Sequence, residues 1–350
     1  MPVAVPIVPA TDAASATMRT PGIGRDAPSG ERSSFRFGRA RRRSVWGVAV
    51  LALVASSCAT ATRTPSKAST TSTTGALPLT PVRLILTPTN VMVPVLRSDA
   101  RGWRVLTPCG LTTTIGRGTP IRKIDVMLDP GHGGIESGAV GSGLKESDLN
   151  LDVALRAQRD LMATGIRAAL TRTGDYRLPI ATRAQIINTA HPKLFVSVNH
   201  NGGPAADHSG PGTEVYYQHD STQAKRLAGL IWESVYAALN QFPAHWVGAS
   251  DAGAIYRLGR DGADFYGVLR LTRSTPGTLL EAAYVTEPSE GVLLATPQFR
   301  AAEGAAIAQA IRRYLRTSDQ GAGYHVPISR GFDDPGGGGG FNRCSDPRLQ

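Results

Sequence analysis

Three classes of protein are excluded by what this sequence lacks. Only 3 of its 350 residues are cysteines, so a packed core rather than a network of disulfides must hold the chain together. No run approaches the roughly eighteen apolar residues of a membrane-spanning helix, which excludes a protein that crosses the membrane several times. The 39 glycines and 24 prolines follow no repeating period, which excludes a collagen-like fibre. The length suits one large domain or two smaller ones.

Positive charge is scarce outside the amino-terminal region, although the whole chain carries a net charge of +11. The first 67 residues contain ten basic and three acidic residues and therefore account for +7 of that charge. The other 283 residues carry only +4 and show no cluster of basic residues. A protein that binds duplex nucleic acid presents a clustered basic face. We therefore expect no nucleic-acid partner.

The amino-terminal region has the order of a secretory signal. Basic residues at 39–43 precede an apolar run at 45–55, and Cys58 follows two serines. This order is typical of export signals, and Cys58 resembles the lipidation site of a bacterial lipoprotein. Such sites prefer Leu where Ala55 stands, so cleavage near residues 59–61 without lipid is the alternative. We expect an exported protein of the cell envelope, either held at the membrane by this end or secreted.

Composition divides the chain into six segments. Residues 1–44 form a basic lead expected to be disordered, 45–59 the signal or lipoprotein segment, 60–79 a Ser/Thr/Ala/Pro linker, 80–121 a small β element, 122–317 the main domain, and 318–350 a glycine-rich tail. The small β element follows from three or four short runs rich in Val, Thr and Leu. It could be a wall-binding module or a structural appendage.

The two cysteines outside the signal region could form a disulfide. If Cys58 carries lipid, Cys109 and Cys344 remain as a pair, and a chain outside the cytosol tends to oxidise such a pair. A bridge would hold the glycine-rich tail against the rest of the protein. Two unrelated thiols are the alternative.

From residue 122 onward, strand-type and helix-type apolar patterns alternate. This alternation predicts an α/β domain with a twisted, mostly parallel sheet and helices on both faces. We expect strands at 124–128, 166–171, 194–199, 213–218 and 278–285, and helices at 147–164, 179–190, 221–239 and 297–315.

Three residues near strand ends predict a metal site. His132 lies in a glycine-rich segment directly after the first strand, Glu146 begins the next helix, and His200 ends another strand. Ligands collect at the carboxyl ends of strands in such sheets. Two His and one Glu with an open fourth position are typical of catalytic Zn²⁺. Each residue alone could equally be a loop histidine or a helix-start acid.

Glu281 is a charged residue inside an otherwise apolar strand. Burying a carboxylate is costly unless it has a partner. Beside a metal-bound water, Glu281 could accept the water's proton and pass it to a leaving amine. An ion pair with Arg183 or Arg270 is the structural alternative.

Several motifs occur together in the order seen in one enzyme family. DPGHGG at 129–134, LKESDLNLDVA at 144–154, LFVSVNHN at 194–201 and LLEAAYVTEPSE at 279–290 resemble the zinc-dependent N-acetylmuramoyl-L-alanine amidases of the type 3 family. The resemblance covers residues 123–315. It implies an enzyme that cleaves peptidoglycan between N-acetylmuramic acid and L-Ala of the stem peptide. It also implies that His132, Glu146 and His200 bind Zn²⁺ and that Glu281 is the catalytic Glu.

The sequence departs from that family in two motifs. The family usually has Ser-Ile-His-Ala-Asn where Asn199 and Asn201 flank His200, and often Asn where Glu287 stands. We expect the first change to alter hydrogen bonds around the metal while leaving the ligand in place. Another zinc hydrolase of the cell wall, or a non-catalytic wall-binding lipoprotein, remains an alternative; the latter would require a missing ligand or acid.

Overall fold

The computed structural model describes residues 81–328 and 340–350. The expected lead, signal segment, Cys58 and linker lie outside these residues, as does part of the tail. Within them, no helix combines the length and the apolar character needed to span a membrane.

The first described segment forms an antiparallel sheet of five short strands. Their order across the sheet is β4-β3-β2-β1-β5, so the chain runs as a meander and the last strand returns to pair with the first. The sequence predicted three or four strands in this segment and missed the last one, which is only three residues long and contains Pro120. The strands are β1 (Leu84–Leu86), β2 (Met92–Asp99), β3 (Gly102–Leu106), β4 (Thr112–Ile115) and β5 (Thr119–Ile121).

The remaining strands include the main sheet and two small hairpin-like pairs. The strands are β6 (Val126–Pro130), β7 (Val140–Gly141), β8 (Leu144–Lys145), β9 (Ala168–Leu170), β10 (Leu194–Asn201), β11 (Ala206–His208), β12 (Glu214–Tyr217), β13 (Trp246–Gly248), β14 (Ala254–Ile255) and β15 (Gly277–Tyr284). Six of them form one sheet in the order β14-β12-β15-β10-β6-β9. Every pairing in it is parallel except β12 with β15, which confirms the predicted mostly parallel sheet.

Helices cover both faces of the main sheet. They are α1 (Glu146–Met162), α2 (Ile180–Ala190), α3 (Thr222–Leu239), α4 (Gly267–Arg270), α5 (Pro288–Leu294) and α6 (Pro297–Arg316). Apolar residues of α1, α3 and α6 pack on one face. Apolar residues of α2, α4 and the five-stranded sheet pack on the other. The α/β architecture predicted from the sequence is therefore confirmed.

Neighbouring residues of β10 belong to opposite cores, as the alternation of a strand requires. Val196 and Val198 pack in the core under α1, α3 and α6. Phe195 packs in the core under α2 and α4. The same alternation continues into the polar end of this strand, where the predicted site lies.

A disulfide joins the five-stranded sheet to the carboxyl-terminal segment. Cys109, in the turn between β3 and β4, is bonded to Cys344. The backbone N–H of Cys109 also donates to Asp346 at 2.7 Å. These contacts hold the last residues of the chain against the body of the protein.

Candidate active site

His132 is presented to solvent by a tight turn at the end of β6. Its backbone is left-handed, with φ of 59°, and Gly133 and Gly134 that follow also have positive φ. A Cβ at Gly133 would lie 2.4 Å from the carbonyl oxygen of Tyr176, so this turn has no room for a side chain there. The His132 side chain remains 39% exposed. The glycines thus allow the chain to reverse while the imidazole stays accessible.

Glu146 lies directly beside this imidazole at the first position of α1. His132 Nε2 is 3.3 Å from Glu146 Oε1. The other carboxylate oxygen accepts from the backbone N–H of Ala139 at 2.8 Å, and Asn150 Nδ2 donates to Oε1 at 3.1 Å. Burial by itself would raise the pKa of Glu146, but these hydrogen bonds and His132 outweigh it and lower the pKa. The carboxylate is therefore ionised and fixed in orientation.

The ring of His200 points to a different set of partners. Nδ1 lies 2.8 Å from Asn150 Oδ1, and Nε2 lies 3.1 Å from Glu303 Oε2 on α6. The side chains of His200 and Glu303 are both fully buried. Burial would lower the pKa of His200, but the charge and hydrogen bond of Glu303 outweigh it and raise the pKa. In its protonated form the ring donates from both nitrogens, so neither nitrogen has a free lone pair for a metal.

The structure therefore brings together two of the three predicted metal ligands. His132 and Glu146 are in contact, whereas His200 contributes only its backbone N–H, which donates to Glu146 Oε1 at 3.3 Å. Among residues 81–328 and 340–350, no group of three or more His, Cys, Asp and Glu residues is arranged to hold a metal ion. The predicted zinc set does not fit as a set. The reason is strand alternation, which directs position 200 toward α1 and α6.

Glu281 lies on the other face of the sheet from the His200 ring. It is opposite Asn199 in the pairing of β10 with β15, and opposite Glu214 in the pairing of β15 with β12. Burial, followed by the charges of Glu146 and Glu214, raises the pKa of Glu281 well above its ordinary value. Such a carboxyl group can carry a proton near neutral pH.

The two arginines considered as ion-pair partners of Glu281 contact other groups. Arg183 Nη1 donates to Asp129 Oδ1 at 2.8 Å. Arg270 Nη1 donates to the backbone carbonyls of Asp264 at 2.6 Å and Phe265 at 2.8 Å. The raised pKa of Glu281 is consistent with the lack of a nearby guanidinium among the causes of its shift.

Three polar residues of this region escaped the sequence analysis. Asn150 donates to Gly131 O, and to Glu146, and accepts from His200, so it connects both histidine environments. Glu303 lies on α6, far from any motif in sequence, and nothing in its own neighbourhood signals a role. Asn199 could have been found from the period of β10, because alternation from Phe195 through Ser197 assigns position 199 to the face of Glu281.

Comparison with known proteins identifies relatives over the main domain. A sequence model of the family described as N-acetylmuramoyl-L-alanine amidase matches residues 126–313, more than half of the chain. The uncharacterized protein YqiI of Bacillus subtilis is 31% identical over 218 residues, which are 61% of this chain and 97% of that protein. N-acetylmuramoyl-L-alanine amidase LytC of Bacillus subtilis is 32% identical over 200 residues, which are 56% of this chain and 36% of LytC.

A solved structure resembles the same region. N-acetylmuramoyl-L-alanine amidase AmiC2 of Nostoc punctiforme is 29% identical and matches with a TM-score of 0.46. The match covers 55% of this chain and 97% of that one.

Proposed function

We propose, since the chain belongs to the N-acetylmuramoyl-L-alanine amidase family, that it hydrolyses the amide bond between N-acetylmuramic acid and L-Ala of peptidoglycan. The observation that supports this proposal best is the position of Glu281. A carboxyl group with a raised pKa lies on the sheet opposite Asn199, within electrostatic reach of Glu146, which contacts the exposed His132. Perturbed acids in accessible sites are typical of proton-transfer catalysis.

In the proposed reaction, Glu281 moves one proton. It accepts a proton from the water that attacks the carbonyl carbon, and it then gives that proton to the L-Ala nitrogen as the carbon–nitrogen bond breaks. The products are a free lactyl carboxylate on the sugar and a peptide with a free amino terminus. The neighbouring Glu214 and Glu146 keep the protonated form of Glu281 accessible near neutral pH by raising its pKa.

The family is generally zinc-dependent, and such a cation supplies Lewis-acid polarisation of the substrate carbonyl. In this chain, His132 and Glu146 are the two residues of the predicted set that could hold a metal together. Their separation from the His200 ring means that the complete predicted set does not support this role.

Product analysis tests the proposed activity. The purified protein is incubated with peptidoglycan, with added Zn²⁺ and with a chelator, and mass spectrometry identifies the products. Stem peptides with an unblocked L-Ala that appear with Zn²⁺ and vanish with the chelator would support the amidase. Cleavage at another bond would instead indicate a different hydrolase of the cell wall.

The orientation of His200 favours a second candidate function, which is binding of peptidoglycan without turnover. A silent member of the family needs a missing ligand, and the His200 ring is engaged by Asn150 and Glu303. Co-sedimentation with peptidoglycan, in the absence of any new amino termini at saturating Zn²⁺, would support this candidate over the amidase.

We further propose that the protein acts outside the cytosol and carries lipid on Cys58. The basic, apolar and small-residue order at 39–59 supports export, and the Cys109–Cys344 disulfide suits an oxidising compartment. Metabolic labelling with an alkyne fatty acid tests the lipid. Label should be incorporated in the natural protein and lost in Cys58→Ser; label that persists in the variant would contradict the assignment.

A further inference from the structure

Position 199 of β10, rather than position 200, faces the pair formed by His132 and Glu146. The backbone N–H of His200 donates to Glu146 Oε1 at 3.3 Å, so the residue just before it also lies beside this carboxylate. The His200 side chain is directed to α1 and α6, and the preceding side chain therefore projects from the opposite face of the sheet.

Two further contacts locate the Asn199 side chain next to the turn that carries His132. A Cβ built on Gly131 would lie 1.8 Å from Asn199 Oδ1, so the amide oxygen occupies the space that a side chain at 131 would fill. The same Cβ would lie 3.1 Å from Asn150 Nδ2, which donates to Glu146. Asn199 is also opposite Glu281 in the sheet. It is thus surrounded by the residues of the proposed site.

The chemistry of Asn199 differs from that of a strong zinc ligand. Zn²⁺ in proteins is bound by imidazole nitrogen, thiolate sulfur and carboxylate oxygen, and a catalytic site has three protein ligands. Asn199 offers a neutral amide whose nitrogen donates to Ser197 Oγ at 3.1 Å. Ser197 in turn donates to Asp129 Oδ2 at 3.0 Å, which holds this polar row in place.

We infer that position 199 is the third metal-facing position of the site and that Asn199 leaves the chain with an incomplete site, in which only His132 and Glu146 are strong ligands for a divalent transition metal. Such a site exchanges its metal readily and is filled only at elevated metal concentration. The inference goes beyond the proposed function, because it concerns metal retention whether or not the protein turns over substrate.

The experiment compares zinc retention in the natural protein and in Asn199→His. Full-length proteins are loaded with Zn²⁺ and dialysed, metal content is measured by mass spectrometry, and affinity is measured by competition with a chromophoric chelator. The natural protein should retain well under one equivalent. Asn199→His should retain one equivalent and bind at least about 10- to 100-fold more tightly, since even the loss of a supporting hydrogen bond costs this much affinity.

Three control variants locate the gained affinity. Asn240→His adds an exposed imidazole at the end of α3 and should bind no more Zn²⁺ than the natural protein. Combining Asn199→His with His132→Ala should abolish the gain, because the two imidazoles act on one ion. His200→Asn should leave the zinc affinity of the natural protein unchanged.

Several results would overturn the inference. One is a natural protein that keeps a full equivalent after dialysis, and another is a His200→Asn variant that loses metal. A folded Asn199→His variant without increased affinity would also contradict it. If circular dichroism shows that this variant is unfolded, the nearly isosteric Asn199→Asp provides a carboxylate ligand and decides the matter by the same assay. Amidase activity enters none of these measurements, so failure of the proposed function would be recognised separately.

Discussion

His132 and His200 follow neighbouring strands of one sheet, yet they occupy opposite environments. His132 is 39% exposed, sits on a left-handed turn and lies 3.3 Å from Glu146. The ring of His200 is fully buried between α1 and α6, where it contacts Asn150 and Glu303. By position along the chain, both appear equally suited to bind a ligand at the carboxyl edge of the sheet.

The difference shows that one residue of register separates a site residue from a core residue. Successive side chains of β10 point to opposite faces, so the imidazole at 200 enters the helix-covered core while the amide at 199 faces Glu281. A histidine next to the right position is therefore not equivalent to one at that position. The predictions below test whether the two faces have separate roles in catalysis and stability.

The largest effect is expected on the Glu281 face. In the proposed function, Glu281→Gln removes the group that carries the proton, and the hydrolysis rate should fall about 10²- to 10⁴-fold. The rate of product release at saturating Zn²⁺ measures this, with thermal unfolding to show that the fold persists. Glu233→Gln changes a carboxylate on α3 that pairs with Arg313 and should retain activity. Equal rates in the two variants would rule out the role of Glu281.

The two histidines should differ most clearly in their contributions to stability. His200→Ala leaves the buried Glu303 carboxylate without its cation and should lower the free energy of unfolding by about 3–5 kcal/mol. His132→Ala removes a partly exposed ring and should cost no more than about 1 kcal/mol. Urea unfolding of both variants provides the comparison. Similar losses would show that the faces are not separated in this way.

A third buried carboxyl group sharpens the contrast with Glu303. Glu290 of α5 accepts from the backbone N–H groups of Tyr284 and Val247. Burial, the largest cause, raises its pKa to about 7, while these N–H groups and His245 oppose the shift and Glu287 adds to it. Because the folded pKa is raised, its stabilising contribution is complete below about pH 4.5 and is lost as pH rises through 7.

The pH dependence of unfolding measures this contribution. Between pH 4.5 and 7.5, Glu290 should reduce the free energy of unfolding of the natural protein by up to about 3 kcal/mol. Glu290→Gln cannot ionise, so its free energy of unfolding should fall less over the same interval. Identical pH dependence in the two proteins would show that Glu290 ionises in the fold as easily as it does in the unfolded chain.

The smallest effect is expected where the two environments meet. Asn150 hydrogen-bonds to both His200 and Glu146, and Asn150→Ala should destabilise the fold by about 1–3 kcal/mol by leaving buried groups unpaired. The same change frees the Glu146 carboxylate, so zinc affinity should also decrease. Chemical unfolding and chelator competition measure the two effects. A loss of stability with unchanged zinc affinity would mean that Asn150 serves the His200 side alone.

Long periodic elements were predictable, whereas short ones were not. The expected helix at 297–315 corresponds to α6 (Pro297–Arg316), because an apolar stripe at helical spacing and a proline at its start are local signals. The four residues of α4 and the two-residue strands β7 and β8 carry no such period. Their conformation depends on contacts with the rest of the protein.

The sequence by itself determined the α/β class, the family and the identities of His132, Glu146 and Glu281, because these follow from periodicity and from motifs read along the chain. Only the tertiary structure decided which face of β10 carries each polar side chain and where the His200 ring is directed. The partners of His200 are Asn150 on α1 and Glu303 on α6, which lie 50 and 103 residues away in the chain. Contacts over such separations arise when helices pack on the sheet, and no local pattern around His200 specifies them.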